Sequence, residues 1–345
     1  MLVAAAQFSI IGLRAAESPP ATIQVESFMR VTNAGPQQFE LQVAVRKYTS
    51  SIHSNSVVWL AAVSHIGETN YYQRLQNHLD AQQLVLFEGI LPPGTTNYSG
   101  KDLELAKTAA RKTDADRSTL QTELADALGL VFQLDAVNYS RPHFRGSDLS
   151  VAEIQKLMRS TSKPKSSTTG KKAEQQENES FKQLIEMMQG NSWMGQLVRT
   201  GLKLVGANPK FQAIVKLTFV ETLGRLKGDI TRMQGVPESM RQLLTVLIHS
   251  RNQRVLEDLQ KELRRENPAK NISVFYGAGH MDDLETRLRK DLSFRPVDQL
   301  WLPAFRVDLK QSGVSEFEAN LVRMLIDRQM NLLLPTDGAD KTKSN

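Results

Sequence analysis

Between residues 40 and 47 apolar and polar positions alternate. Leu41, Val43 and Val45 fall on one face and Gln42, Ala44 and Arg46 on the other, which predicts a strand with one face in water. A polar turn over 49–56 leads into Val57-Val58-Trp59-Leu60-Ala61-Ala62-Val63. An unbroken apolar run of this kind suits a parallel strand covered on both sides. After Gly67, Tyr71, Tyr72, Leu75 and Leu79 recur at helical spacing. Leu84-Val85-Leu86-Phe87 then reads as a second short strand, stopped by Glu88-Gly89 and the Pro92-Pro93-Gly94 breaker. Strand, helix and strand in about thirty residues make a βαβ unit, whose crossover is almost always right-handed.

Further on, Leu120, Leu124 and Leu128 predict a helix, Leu130 to Asp135 a strand, and Asn138 to Ser147 an ordered loop rich in aromatic and basic residues. Ser150-Val151-Ala152-Glu153 has the spacing of a capping box and should open another helix. Residues 160–180 carry no apolar side chain larger than alanine and are expected to form a disordered linker. Residues 181–265 read as a helical insertion, a lid or a partner surface, broken near Gly190, Pro209 and Pro237. Its Met187-Met188 and Trp193-Met194 pairs read as core packing. Ile272 to Tyr276 predicts a strand and Leu284, Leu288 and Leu292 stripe the helix behind it. Trp301, Phe305, Val307 and Leu309 suggest a late strand that Pro303 restricts to an edge or a bulge. Phe317, Leu321 and Leu325 mark a last helix before a polar tail over 336–345. The expected fold is α/β: a single domain over 21–335, with a central mixed, largely parallel sheet flanked by helices.

Composition narrows the function. The chain has 345 residues, 40% apolar and 23% charged, and no cysteine, so disulfides, thiolate metal sites and a cysteine nucleophile are excluded. The net charge of +6 invites a nucleic-acid reading, but Lys163, Lys165, Lys171 and Lys172 fall in the polar linker. No basic stripe interleaved with aromatics stands on a predicted element, so no nucleic-acid partner is expected. No apolar run approaches the ~20 residues that span a bilayer. Residues 1–20 combine an apolar stretch with a small-residue and proline region, like a secretory signal without its basic start. Export to the cell envelope is the expectation, with a cytoplasmic location left open.

Two predicted strands end alike, in Ala62-Val63-Ser64-His65 and in Gly277-Ala278-Gly279-His280, and a helix follows each. Ligand crevices in open α/β sheets lie beyond the carboxyl ends of the strands. Glu88 ends the second strand of the βαβ unit and leaves the sheet by the same edge as His65. Neighbouring strands sit roughly 4.8 Å apart, so side chains at adjacent strand ends can meet on one ion or water. Two imidazoles and a carboxylate suit a borderline divalent cation with positions open to water. Taken singly, each has a structural reading: a histidine after a strand can be a cap, and Glu88 before Gly89 can begin a turn. Asp135, Tyr139 and His143 could line the same cleft, and Glu68 could support it or suit the first turn of its helix. His53, His78 and His249 read as turn or helix-surface residues. Gly94 to Lys101 has one residue too many for a phosphate loop, and neither HExxH nor GxSxG occurs.

WLAAVSHIG, YYQRL and LVLFEG, followed downstream by SRNQRVLEDL and VFYGAGHMDDLETRL, resemble the TraB/PrgY/GumN–TIKI family over roughly residues 40–300 without the linker. The resemblance implies a fold distantly related to erythromycin-esterase-like and ChaN-like proteins, a group with metal-dependent proteases, esterases and haem binders. It implies a central site of His65, Glu88 and His280 with Arg251 and Asn252 in support, a Mn, Co, Fe or Zn ion, and hydrolysis of peptide bonds in a peptide or protein substrate. Ala62 departs from the pattern, standing where the family has glycine. Arg251 is expected either to orient Glu88 or to bind a substrate carboxylate or oxyanion, or else to be a solvated helix charge beside Arg254. A peptide- or haem-sequestering protein and a metal-free esterase are the alternatives.

Overall fold

The computed structural model describes residues 23, 26–91, 98–113, 120–161, 193–226 and 238–333. Residues 1–20, the 92–94 breaker, nearly all of the expected linker, Met187-Met188, Gly190, Pro237 and the tail lie outside them. Among the described residues there are ten strands: β1 Met29–Gly35, β2 Gln38–Thr49, β3 Val57–Val63, β4 Ile66–Gly67, β5 Leu84–Phe87, β6 Tyr98–Ser99, β7 Val131–Phe132, β8 Phe144–Gly146, β9 Asn271–Gly277 and β10 Arg295–Asp308. Eight form one mixed sheet ordered β1-β2-β3-β9-β5-β8-β6, with β10 also paired to β2. The central strands β3, β9, β5 and β8 run parallel. The fold is thus α/β, with helices flanking a partly parallel sheet.

Burial explains the centre. Val57–Val63 and Asn271–Gly277 are rich in Val, Ile, Phe and Tyr with hardly a polar position, and nearly every residue is covered on both faces. The strands of the βαβ unit are not neighbours, because β9 lies between β3 and β5. All three point their carboxyl ends to one edge, so a strand that joins the sheet some two hundred residues later brings its own ending between the first two.

Several local expectations are met. The helix Thr69–Asp80 buries Tyr71, Tyr72, Leu75 and Leu79. Ser150 and Glu153 exchange capping bonds at the start of the helix Val151–Thr161. The described parts of 193–265 are helical apart from short connections. Strand β10 shifts register at Pro303, where proline cannot donate to the ladder.

Others are corrected. The outer face of β2 is not in water: Ala44 and Arg46 are fully buried, and Arg46 meets Glu285 at 2.9 Å beneath the helix Met281–Leu292. The strand expected from 130 to 135 is only β7, after which the chain turns into a short helix, Gln133–Ala136. The loop expected from 138 to 147 contains β8, parallel to β5. On the last helix, Glu316–Leu333, the stripe of Phe317, Leu321 and Leu325 faces outward, and Ala319, Ile326 and Met330 pack inward instead. A helical period reveals a stripe but not which side the rest of the protein covers.

Candidate functional site

His65, Glu88 and His280 come together at the carboxyl edge of β3, β5 and β9. The parallel register sets Val63 opposite Gly277 and Phe87 opposite Phe275, so the residues that follow leave the sheet side by side. A Cβ on Gly277 would stand 3.3 Å from both Glu88 Oε2 and His65 Nε2. The glycine hydrogen is what lets these two groups close over the strand end. Gly277 N–H donates to Glu88 Oε2 at 2.7 Å, and His280 Nε2 lies 3.5 Å from Glu88 Oε1.

Each imidazole is oriented through its other nitrogen. His280 is buried, and its Nδ1 lies 2.7 Å from Asn252 Oδ1. The amide of Asn252 donates through Nδ2 to His280 O at 3.0 Å and to Asp283 Oδ2 at 2.9 Å. Both are pure acceptors, so Oδ1 must face the ring and Nδ1 must carry the proton. His65 is exposed, with Nδ1 2.8 Å from Gln133 Oε1, while Gln133 Nε2 donates to the Tyr139 hydroxyl at 2.8 Å. With the amide so placed, Nδ1 again holds the proton. Both Nε2 atoms are left on the side of Glu88.

Local structure supplies these partners. Gln133 follows β7, which pairs with β4 immediately after His65. Ser64, just before His65, is fixed by two tyrosines of the next helix: its N–H donates to Tyr71 Oη, and Tyr72 Oη donates to its carbonyl. Arg251 and Asn252 open the helix Arg251–Leu263 directly after a π-helical turn, Val246–Ser250. Such turns are frequent at functional sites.

Arg251 is not a solvated charge. It is buried, with Nε and Nη2 on the two oxygens of Asp148 at 2.9 and 2.6 Å and Nη2 also on Glu88 Oε1 at 2.9 Å. Asp148 further accepts from the N–H of Gly89 at 2.9 Å. These are the contacts of a group that orients Glu88, with few N–H directions left for an oxyanion. Burial is the largest influence on the Glu88 carboxyl and pushes its pKa up. His280, Arg251 and His65 together outweigh it and hold the group well below the usual glutamate value.

The remaining candidates separate. Tyr139 is buried behind Gln133 and acts on His65 through it. Asp135 is exposed on its short helix, and Gly279 is exposed in the turn before His280. His143 lies at the opposite end of the sheet, its Nε2 3.2 Å from Leu79 O. Glu68 accepts from Arg306 N at 2.8 Å, which ties β10 to the start of the Thr69–Asp80 helix. His53 stacks on Phe294 in its turn. His78 and His249 lie on helices and are half-buried. Burial lowers His78 to about 4, and His249 Nδ1 lies 3.0 Å from Asp283. Asp148, Gln133 and Asp283 were not singled out from the sequence. Asp148 sits beside Ser147 in what reads as a polar loop, and an aspartate there is normally exposed.

Among the described residues, no three His, Asp or Glu side chains stand at metal-gripping separation, and the oxygens of Glu88 bond Arg251 and Gly277 N. The donor set still fits a divalent cation in kind: two imidazoles with Nδ1 committed, and a carboxylate with a further lone pair on each oxygen. Searches of protein-family models, curated proteins and solved structures found no match to this chain.

Proposed function

We propose that this chain is a metal-dependent hydrolase of the TraB/TIKI type, acting on peptide bonds, with His65, His280 and Glu88 as its ion-holding residues. The observation that carries the reading is the shared orientation of the two histidines. Each gives Nδ1–H to a side-chain amide and turns Nε2 toward one ionised carboxylate, the arrangement in which outer partners prepare histidine for a cation. Bound there, Mn, Co, Fe or Zn would polarise a carbonyl and lower the pKa of a water.

The chain's own residues divide the remaining work. Asp148 holds Arg251, and Arg251 holds Glu88 ionised and fixed. His280 forms the buried wall of the site. His65 stands at the exposed side, where a substrate has access. The backbone there is steadied by Tyr71 and Tyr72, so His65 is exposed without being loose.

The placement of Glu88 favours one second reading, a metal-free esterase. Its oxygens already have partners, and its low pKa makes it a weak base, so His65 would then be the group that takes a proton from water. Turnover of a peptide and an ester substrate with and without a chelator separates the two. Peptide cleavage abolished by chelator and restored by a divalent ion supports the metallohydrolase. Chelator-insensitive ester cleavage selects the esterase. Absence of both activities, together with a haem absorption band, would point to a sequestering protein.

A further inference from the structure

A second cleft lies away from the histidines, where the end of β2 meets the end of the helix Met281–Leu292 and the start of β10. It encloses about 1250 Å³. Among the described residues its walls contain three cations, Arg289, Lys290 and Arg295, and no carboxylate. Hydroxyls of Thr49, Ser50, Ser51, Ser54, Thr286 and Ser293 line the same space.

Arg289 and Lys290 have an ordinary explanation, because cations in the last turn of a helix complement its carbonyl end. Arg295 does not share it. It lies past the helix on β10, is exposed, and forms no ion pair among the described residues. Nor does either of its companions. Arg289 does act on Glu285: burial, the larger influence, raises that carboxyl and Arg289 lowers it, while the ion pair of Glu285 is with Arg46. The helix end itself is quenched, since Ser293 N and Phe294 N both bond Leu288 O and the Ser50 hydroxyl donates to Leu292 O. Three cations without an ion pair among the described residues therefore line a recess that also carries hydroxyl groups.

We propose that this cleft binds a small phosphate-bearing anion, with Arg289, Lys290 and Arg295 as its charge contacts and the hydroxyls of Thr49, Ser51, Ser54 and Ser293 as its hydrogen-bond donors. Guanidinium and hydroxyl groups together match the several oxygens of a phosphate better than the two of a carboxylate. The cleft is independent of Glu88 and its histidines, so this proposal stands or falls separately from the hydrolase reading.

The test is titration of the full chain with inorganic tripolyphosphate, followed by calorimetry and by backbone amide NMR at constant ionic strength. Saturable binding is expected, with shifts confined to residues 49–54 and 286–297. R289Q/K290Q/R295Q should weaken it on the order of tenfold or more, with unchanged thermal melting because all three side chains are exposed. His65→Ala should leave it untouched. A parallel arm with phosphatidylcholine vesicles, with and without phosphatidic acid, separates a soluble ligand from a lipid headgroup, and binding to the vesicles alone would overturn the proposal. So would no saturable binding, or equal binding by the triple variant.

Discussion

The two histidine motifs are built on adjacent parallel strands and share a function in the proposed site, yet they tolerate different residues. Gly277 of the second motif lies beneath Glu88 and His65, where a Cβ would come within 3.3 Å of both. Ala62 of the first motif pairs with Tyr276 across the sheet and is buried in the core. One position is crossed by the site and the other is packed by the sheet. Alanine at position 62 therefore leaves the site geometry intact. The outer partners differ in the same sense. His280 is buried and held by Asn252, itself fixed by two acceptors; His65 is exposed but anchored from below by the buried Gln133 and Tyr139.

The largest expected effect comes from the element both motifs share. Arg251→Leu leaves Glu88 and Asp148 buried without their common cation, and stability in urea denaturation should fall by about 3–5 kcal/mol. Unchanged stability would mean that the buried ion pair does not organise this edge of the sheet. A pH-dependent effect comes next. Because the folded pKa of Glu88 is depressed, its ionised form contributes stability in full above the ordinary value of 4.5. That contribution is lost as pH falls through the folded value. Glu88→Gln should flatten the acid limb of stability against pH, and an unaltered limb would assign acid unfolding to other carboxylates.

The two arms can then be set against each other. Asn252→Ala and Gln133→Ala should each weaken metal affinity or activity by roughly 10–100-fold. Both should also lower stability, by about 1–3 kcal/mol, because Asn252 and Gln133 are buried and each leaves a buried polar partner unpaired. Unchanged stability in either variant would mean that its buried hydrogen bonds do not hold that histidine. The smallest effects concern the motif residues themselves. Gly277→Ala should reduce metal affinity with little change in melting. Ala62→Gly should cost about 0.5–1 kcal/mol of stability and leave affinity unchanged.

Much of the sheet and the helices was legible because the core is patterned. The unbroken apolar run of β3, the largely apolar run of β9 and the tyrosine and leucine stripe of the first helix can each be read locally. His65, Glu88 and His280 could be named because each follows such a run, although only the parallel register shows that they meet. What sequence reading missed depends on tertiary cover. The strand β8 is three residues long, too short to carry a period. Asp148 is polar by type and buried only because Arg251 reaches it from a helix a hundred residues away. The last helix has a clear apolar stripe whose outward orientation no local pattern encodes.

Metal content by elemental analysis tests the central claim most directly, with wild type beside His65→Ala/His280→Ala. Near-stoichiometric Mn, Co, Fe or Zn in the wild type, lost in a variant that keeps its circular dichroism and melting transition, is the predicted result. A wild type that takes up no metal after incubation with divalent ions, or a folded double variant that retains it, would contradict the assignment of the ion to these strand ends.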